Sequence, residues 1–580
     1  MSQAAVSDFV PADLDASSWE NIEPLLVALR DREIDSADEF EGWLHDRSEL
    51  EAAISEAGAL LYIGMTCHTE DERRQKAYSA FIENVAPKVM PMGFELDKKQ
   101  AALAERFDLG DRYAVLNRDT ISSVEIFREE NVPLQTELAM LSTEYQTVIG
   151  AMMVEFDGQE RTLPQMGVYQ ESTDRAEREK AWRAVAERRA ADADRISSIY
   201  DKMVAKRHQV AVNAGFDDFV GYAFKAMRRF DYTPRLCFAF HEAIEKRVMP
   251  FVARLQARRQ RDMGLDALRP WDIAVDPKGR GPLEPFKDGV ELVTKTRRVF
   301  AHMSPELSSM FETLGDGRND QGADGGASLD LDSRRGKAPG GYQYMRDRMR
   351  APFIFMNAAG QHRDVETMVH EAGHAFHSMY CVDEPLMHYR EAPIEFAEVA
   401  SMSMELLSMP YWDAYYADPE DLARARRQQL EGSLALLPWI ATIDAFQHWV
   451  YTNPTHTHDQ RAKAWLDLEQ RFGHQGYRID WTGVESSRPI VWQRQGHLFG
   501  HPFYYIEYGI AQLGALGLWL KSLEEGEDAA LDAYKRSMSL GGSRPLPELF
   551  AAADLPFDFG DATVARLVER VETELAKLPA

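Results

Sequence analysis

Cysteine is scarce in this chain of 580 residues: Cys67, Cys237 and Cys381 are an odd number with no CxxC pair among them. That excludes a disulfide framework and a thiolate-rich zinc module, and it points to free thiols in a reducing compartment. Positive charge is also in deficit. Against 94 Asp and Glu stand 66 Lys and Arg, a formal net charge of -28, which disfavours nucleic acid because that binding neutralises phosphates with cations. An acidic surface instead favours solubility and attracts cationic ligands. Long apolar runs are missing as well. The stretch Gly509 to Leu520 is too short to span a bilayer and contains Gln512. The opening residues MSQAAVSDFVPADLDASSWENI carry acidic residues, no Lys or Arg and no apolar core of a signal peptide. The expectation is a cytoplasmic globular protein without nucleic-acid or membrane partners, its oligomeric state open. With 45% hydrophobic residues, it can bury one large or two ordinary cores.

From Ser17 to about Gln135 apolar residues recur at helical spacing among Ala, Glu, Leu, Arg and Lys, which predicts a helical lobe. MMVEF and ERTL flank Asp157-Gly158, the pair suited to a two-residue type I′ turn, so one β-hairpin near 151–163 interrupts the helices. The charged run from Thr173 to Ala211 reads as one long helix or a helix pair with a solvated face. These features set an N-terminal lobe at 1–200 and a second region at 201–580. Between Leu314 and Gly341 the chain turns Gly- and Asp-rich, a long loop. Asp316, Asp320, Asp324, Asp330 and Asp332 suggest calcium, but the DxDxDG pattern with Glu at its twelfth position is absent. APFIFMN, Ala351 to Asn357, reads as a buried or edge strand.

His370-Glu371-Ala372-Gly373-His374 is an HExxH motif within DVETMVHEAGHAFHSMY, whose apolar spacing is helical. Residues i and i+4 share a helix face, so both imidazoles can reach one zinc ion at about 2.0–2.1 Å. Glu371 is turned about 100° from His370, which sets it beside the ion as a base toward water. His377 falls near the same face and is expected to be a neighbour. Such a site needs a third protein ligand. The next acidic helix, APIEFAEVASMSMELL, offers Glu395, Glu398 and Glu405. Glu398 and Glu405 lie seven residues apart on one face, so one can ligate while the other orients an imidazole; spacing alone does not choose between them.

His497, His501, Tyr504, Tyr505 and Tyr508 crowd twelve residues near the C-terminus. If a helix starts at Pro502, Tyr504 and Tyr508 lie one turn apart with Tyr505 close by. A phenol or imidazole aimed at a carbonyl oxygen stabilises the charge that develops there in hydrolysis.

With these motifs in hand, the sequence resembles the thimet oligopeptidase and oligoendopeptidase F family of zinc peptidases, and is closer to the oligoendopeptidase F branch. The resemblance rests on HEAGH, the segment Phe396-Ala397-Glu398-Val399-Ala400-Ser401, VEFDGQERTLPQ, NAGFDDFVGYA, DSRRGKAPGGYQ, PFIFMN and HLFGHPFYYIEYG, over roughly residues 150 to 520. It implies a mainly α fold, zincin-like, with a small β-sheet beside the HExxH helix and a deep internal channel. It also implies one zinc per chain on His370, His374 and Glu398, with Glu405 behind them and Glu371 as general base. His497 and Tyr508 match catalytic positions, while Tyr504, Tyr505, Gly340 and Gly341 fall on the substrate side. His501 stands where thimet-type relatives have tyrosine, a departure that leaves its role open. The implied activity is cleavage of internal bonds in short unfolded peptides, with the Asp332–Gly341 loop and the PFIFMN strand as channel walls, the strand pairing with the peptide. A related helical zinc carboxypeptidase and a silent peptide-binding protein are the alternatives.

Overall fold

Helices dominate because the chain is built from amphipathic segments with polar caps, as the first hundred residues illustrate. In Trp19–Asp31, Ile22, Leu26 and Leu29 recur at helical spacing and are all buried. The helix Ala37–Cys67 starts where the Ser36 side chain accepts the Glu39 N–H, satisfying one donor that a helix start leaves free. Trp43 Nε1 donates to the Leu29 carbonyl at 2.8 Å and ties the two helices. A computed structural model describes residues 9–318, 328–473 and 478–579; Asp320 and Asp324 of the calcium pattern lie outside them. Among the described residues no helix is long and apolar enough to cross a membrane.

The hairpin forms as its turn pair dictates. Strands β1 (Met153–Phe156) and β2 (Gln159–Thr162) are antiparallel, and Asp157 and Gly158 both take positive φ, 52° and 73°, as a type I′ turn requires. The charged run is a helix pair, Arg175–Ala191 and Ala193–Asn213. The expected solvated face fails at Arg178 and Arg207, which are buried. Arg178 donates to the Trp271 carbonyl and to Asp272. Arg207 donates to Tyr451 Oη and to the carbonyls of Leu498 and Phe499, holding the segment that carries His497.

A second sheet lies beside the HExxH helix. Its strands are β3 (Leu329–Asp332), β4 (Tyr342–Arg346) and β5 (Ala351–Ala358), in the order β3-β5-β4. Strand β3 runs parallel and β4 antiparallel to β5. This corrects two expectations. The Gly- and Asp-rich segment contains a strand, LDLD, whose Leu329 and Leu331 are buried. The PFIFMN strand is central, with both edges already paired, so an extended peptide has no free edge there; among the described residues the other edge of β4, the edge strand packed against the motif helix, is unpaired. Asp330 is taken by Arg334 and Lys337, and Asp332 Oδ1 accepts the Gly289 N–H, so neither carboxylate is left for calcium.

The helix His362–Tyr380 packs on β5 and crosses Ile394–Leu407, which in turn lies along Tyr505–Glu524. Glycines permit the close approach. A Cβ on Gly373 would stand 2.6 Å from the Ala400 carbonyl oxygen, and one on Gly514 would stand 2.7 Å from Val399 Cγ2. One large apolar core, from Leu141 to Leu575, holds these three helices together.

Candidate active site

The motif helix begins with a reciprocal cap between Gln361 and Asp364, and its apolar face, with Val365, Met368, Val369, Ala372 and Phe376, is fully buried. That burial fixes the rotation of the helix and turns His370 and His374 toward Ile394–Leu407. A carboxylate oxygen of Glu398 and one ring nitrogen each of His370 and His374 lie within 4.8 Å of one another. Glu398 Oε2 is 3.4 Å from His370 Nε2 and 3.7 Å from His374 Nε2. Ligands on a tetrahedral zinc are about 3.3–3.4 Å apart when each bond is about 2.0–2.1 Å. Two imidazoles and a carboxylate at this spacing fit the ion that the motif implies.

Glu405 takes the other side of His370. The Nδ1 proton is donated to Glu405 Oε1 at 2.7 Å, which leaves Nε2, facing Glu398, as the nitrogen free to bind a cation once its own proton is displaced. Gln429 Nε2 donates to Glu405 Oε2 at 2.8 Å, and Ser401 Oγ to Glu398 Oε2 at 2.9 Å. Glu395 is drawn elsewhere, accepting from Tyr232 Oη at 2.7 Å and standing 3.8 Å from Arg229. His377 is buried, and neither of its ring nitrogens is among the converging donors.

Glu371 is buried, and the Gln343 backbone of edge strand β4 donates to its carboxylate. Burial, reinforced by Glu398 and Glu405 against the pull of His370, pushes the Glu371 carboxyl up to about 7. Burial also acts on the histidines. It opposes protonation of His370, but Glu405 outweighs it and lifts that imidazole to about 9, whereas His374, lacking such a partner, falls to about 3 under burial and the neighbouring His370. An incoming cation therefore displaces a proton at His370. Beside the triad a cavity of about 450 Å³ is lined by Thr367, His370, Glu371, Glu405, Gln429 and Gln512 among others.

The third contribution comes from the C-terminal cluster. His497–Gly500 is a single turn, and the next helix is Tyr505–Glu524. It starts three residues later than Pro502 suggests, because Phe503 adopts φ 68°, outside the helical region. That turn is over-determined. The Phe503 N–H is held by Gln447 Oε1 at 2.5 Å, and its carbonyl accepts from Arg229 at 2.6 Å. The result gathers all five residues. The His497 ring lies 5.0 Å from Tyr505, 5.8 Å from Tyr504, 6.1 Å from Tyr508 and 6.5 Å from His501, and Tyr504 is 5.3 Å from Tyr508. Burial first and Glu398 next push Tyr508 up to about 12, so its phenol is a donor at neutral pH, within electrostatic reach of the triad. Burial lowers His497 below its ordinary value, and its Nδ1 accepts from Gln495 Nε2 at 2.6 Å.

Gly340 and Gly341 end the loop before β4. Gly340 has φ 101°, and its carbonyl accepts from Asn357 Nδ2 at 2.8 Å. The Cβ position of Gly341 lies 3.8 Å from Thr367 Cγ2, one turn before His370. Sequence reasoning did not single out Gln343, Gln429, Gln495, Arg229 or Arg207. Ser401, three residues after Glu398, and Gln343, the last residue of DSRRGKAPGGYQ, stood inside motifs already in view.

Comparisons with known proteins give the family. Oligopeptidase PepF of Bacillus subtilis is 26% identical over 197 residues, 33% of this chain and 28% of the relative. An oligoendopeptidase F homolog of Borreliella burgdorferi is 23% identical over 205 residues, 34% of this chain and 33% of the relative. The matched segments thus span about a third of these curated relatives. Solved structures match over nearly the full length. One, provisionally named oligoendopeptidase F, has a TM-score of 0.84 at 28% identity over 98% of this chain and 99% of its own. PZ peptidase A, solved with an inhibitor, has a TM-score of 0.83 at 27% identity over 96% of both chains. The model of Peptidase family M3 matches residues 168–568, more than half of the sequence and all three parts of the site, and the chain therefore belongs to this family of metallopeptidases.

Proposed function

We propose that the chain is a zinc-dependent oligoendopeptidase acting on internal bonds of short unfolded peptides in the cytoplasm, where its three buried free thiols stay reduced. The observation that carries this reading is the convergence of His370, His374 and Glu398 with the Glu371 carboxylate beside them. His370 Nε2, His374 Nε2 and a Glu398 oxygen would hold one zinc ion. When bound, that ion supplies Lewis acidity toward water and the scissile carbonyl.

The protein's own groups perform the rest. Glu371 accepts a proton from the attacking water at its carboxylate, and its upward-shifted pKa suits it to return that proton to the leaving nitrogen. Tyr508 Oη donates to the oxygen on which negative charge develops. His497, kept neutral by burial, together with Tyr504, Tyr505 and His501 lines the substrate side. The edge of β4 offers backbone groups to an extended peptide, with Gly340 and Gly341 at its start. A peptide path between this edge and the tyrosine helix admits extended chains and excludes folded ones.

The test is Glu371→Gln. The variant is expected to keep its zinc, measured by elemental analysis, and to lose activity on a peptide blocked at both ends by about 10²–10⁴-fold. Full activity in that variant sinks the assignment of the base, and failure of the unaltered protein to cut the blocked peptide sinks the endopeptidase reading.

A further inference from the structure

Two helices that supply none of the zinc triad, Pro234–Ala243 and Leu437–Thr452, pack together. Each carries two metal-ligating residues four positions apart. These are Cys237 and His241 on one, and Asp444 and His448 on the other. At 3.6 residues per turn both pairs project from one face. All four are buried, between 0% and 5% exposed. The Cys237 sulfur, an Asp444 carboxylate oxygen and a His448 ring nitrogen lie within 4.8 Å of one another.

Hydrogen bonding leaves this cluster incomplete. His241 Nε2 donates to Asp444 Oδ2 at 2.8 Å, and His448 Nε2 stands 3.5 Å from that same oxygen, too far for a good hydrogen bond, so Asp444 Oδ1 and His448 Nε2 are both buried without a hydrogen-bond partner. Such orphaned groups cost about 1–3 kcal/mol each, more where one is charged. A cation placed between them satisfies both and draws in the sulfur.

We propose that Cys237, Asp444 and His448 form a second metal site, structural in role, that takes one zinc ion, with His241 orienting the carboxylate. Thiolate and carboxylate together neutralise a divalent ion, which suits a site in the core, and the mixed sulfur, nitrogen and oxygen set suits zinc. His241 plays the part that a carboxylate plays for a ligating histidine, with the roles reversed. Without the ion, burial and Asp444 hold the Cys237 thiol far above its ordinary range, so the thiol is protonated and binding releases that proton. The site lies next to the turn that starts the tyrosine helix. The Phe503 ring stands 5.1 Å from the His448 ring, and Gln447, adjacent in sequence, holds the Phe503 N–H. An ion here braces the segment that positions Tyr504 and Tyr508.

The two metal sites are separated by removing the first. The full chain carrying His370→Ala and His374→Ala is prepared metal-free and titrated with cobalt(II) alone. One equivalent is expected to bind with an ultraviolet thiolate-to-cobalt charge-transfer band, and adding Cys237→Ser is expected to abolish the band. In the unaltered chain elemental analysis is expected to count two zinc ions. The site is overturned by absence of zinc from the chain carrying His370→Ala and His374→Ala as purified, by absence of the band in that double variant with a native circular dichroism spectrum, or by persistence of the band after Cys237→Ser. The zinc count of the double variant decides the matter even if the Cys237 variant fails to fold. None of these readouts depends on peptidase activity, so the proposed function stands or falls separately.

Discussion

Tyr508 combines two properties that pull in different directions. Its ring is half-buried, and burial, with Glu398 next, pushes the phenol up to about 12, which keeps it protonated at neutral pH. Its hydroxyl nevertheless interacts with that of Tyr504, and its ring lies 6.1 Å from the His497 ring. A protonated donor fixed near the proposed metal triad costs no reorganisation when charge develops on a substrate oxygen. Tyr508→Phe deletes that donor and almost nothing else. The expected outcome is a kcat lowered by about 10²–10³-fold, with zinc content and thermal midpoint unchanged; a kcat within a few-fold of the unaltered protein rejects the oxyanion role. This part of the site was legible because histidines and tyrosines crowd twelve residues of sequence. Gln495 and Arg207 were not, since a glutamine or a helical arginine acquires its partner only through tertiary packing, and nothing local marks it.

At the scale of elements, the crossing of the motif helix with Ile394–Leu407 decides whether His374 and Glu398 meet. Gly373 makes that crossing close. A methyl group there would sit 2.6 Å from both the Ala400 oxygen and the Ser401 Cα, backbone atoms that cannot swing aside, so the helices must separate. Gly373→Ala is therefore expected to destabilise the fold by about 1–3 kcal/mol despite alanine's higher helix propensity. The same shift moves Glu398 away from the imidazoles and weakens zinc binding. Thermal unfolding and zinc titration check this; an unchanged midpoint with unchanged affinity contradicts it. The i, i+4 relation of the two histidines was readable because helix geometry is local. The order of the sheet was not. PFIFMN reads as a strand from its apolar run, but its central place depends on β3, a four-residue strand hidden in a Gly- and Asp-rich segment. The start of the tyrosine helix was misplaced for a related reason: Pro502 is a good first helical residue, yet the buried Phe503 is held at positive φ by Gln447, from the helix Leu437–Thr452, and by Arg229, from the loop between Phe219–Ala226 and Pro234–Ala243.

Across the whole molecule, Asp330 joins the N-terminal helices to the catalytic sheet. Arg334 donates to both oxygens of Asp330, at 2.5 and 2.7 Å, and to the Cys67 carbonyl at the end of helix Ala37–Cys67. Lys337, whose side chain is fully buried, donates to Asp330 at 2.9 Å and to backbone carbonyls of β3 and β5. The backbone continues the link, from Thr69 N–H to the Gly336 carbonyl and from Ala338 N–H to the Thr66 carbonyl. Burial alone would raise the Asp330 pKa, but the two cations outweigh it and hold it down to about 2. A folded pKa below the unfolded value, about 3.9, means that the carboxylate contributes stability at all pH values above about 4. That contribution is lost as pH falls from about 4 through 2, and it amounts to about 2 kcal/mol. Asp330→Asn strands the buried Lys337 charge, at a cost of about 3–5 kcal/mol near neutral pH, and removes the titration. Urea unfolding of the metal-free proteins between pH 7 and pH 2 is expected to show the unaltered chain losing about 2 kcal/mol more than the variant below pH 4. Parallel pH profiles would show that Asp330 does not supply the acid-sensitive link between the N-terminal helices and the sheet.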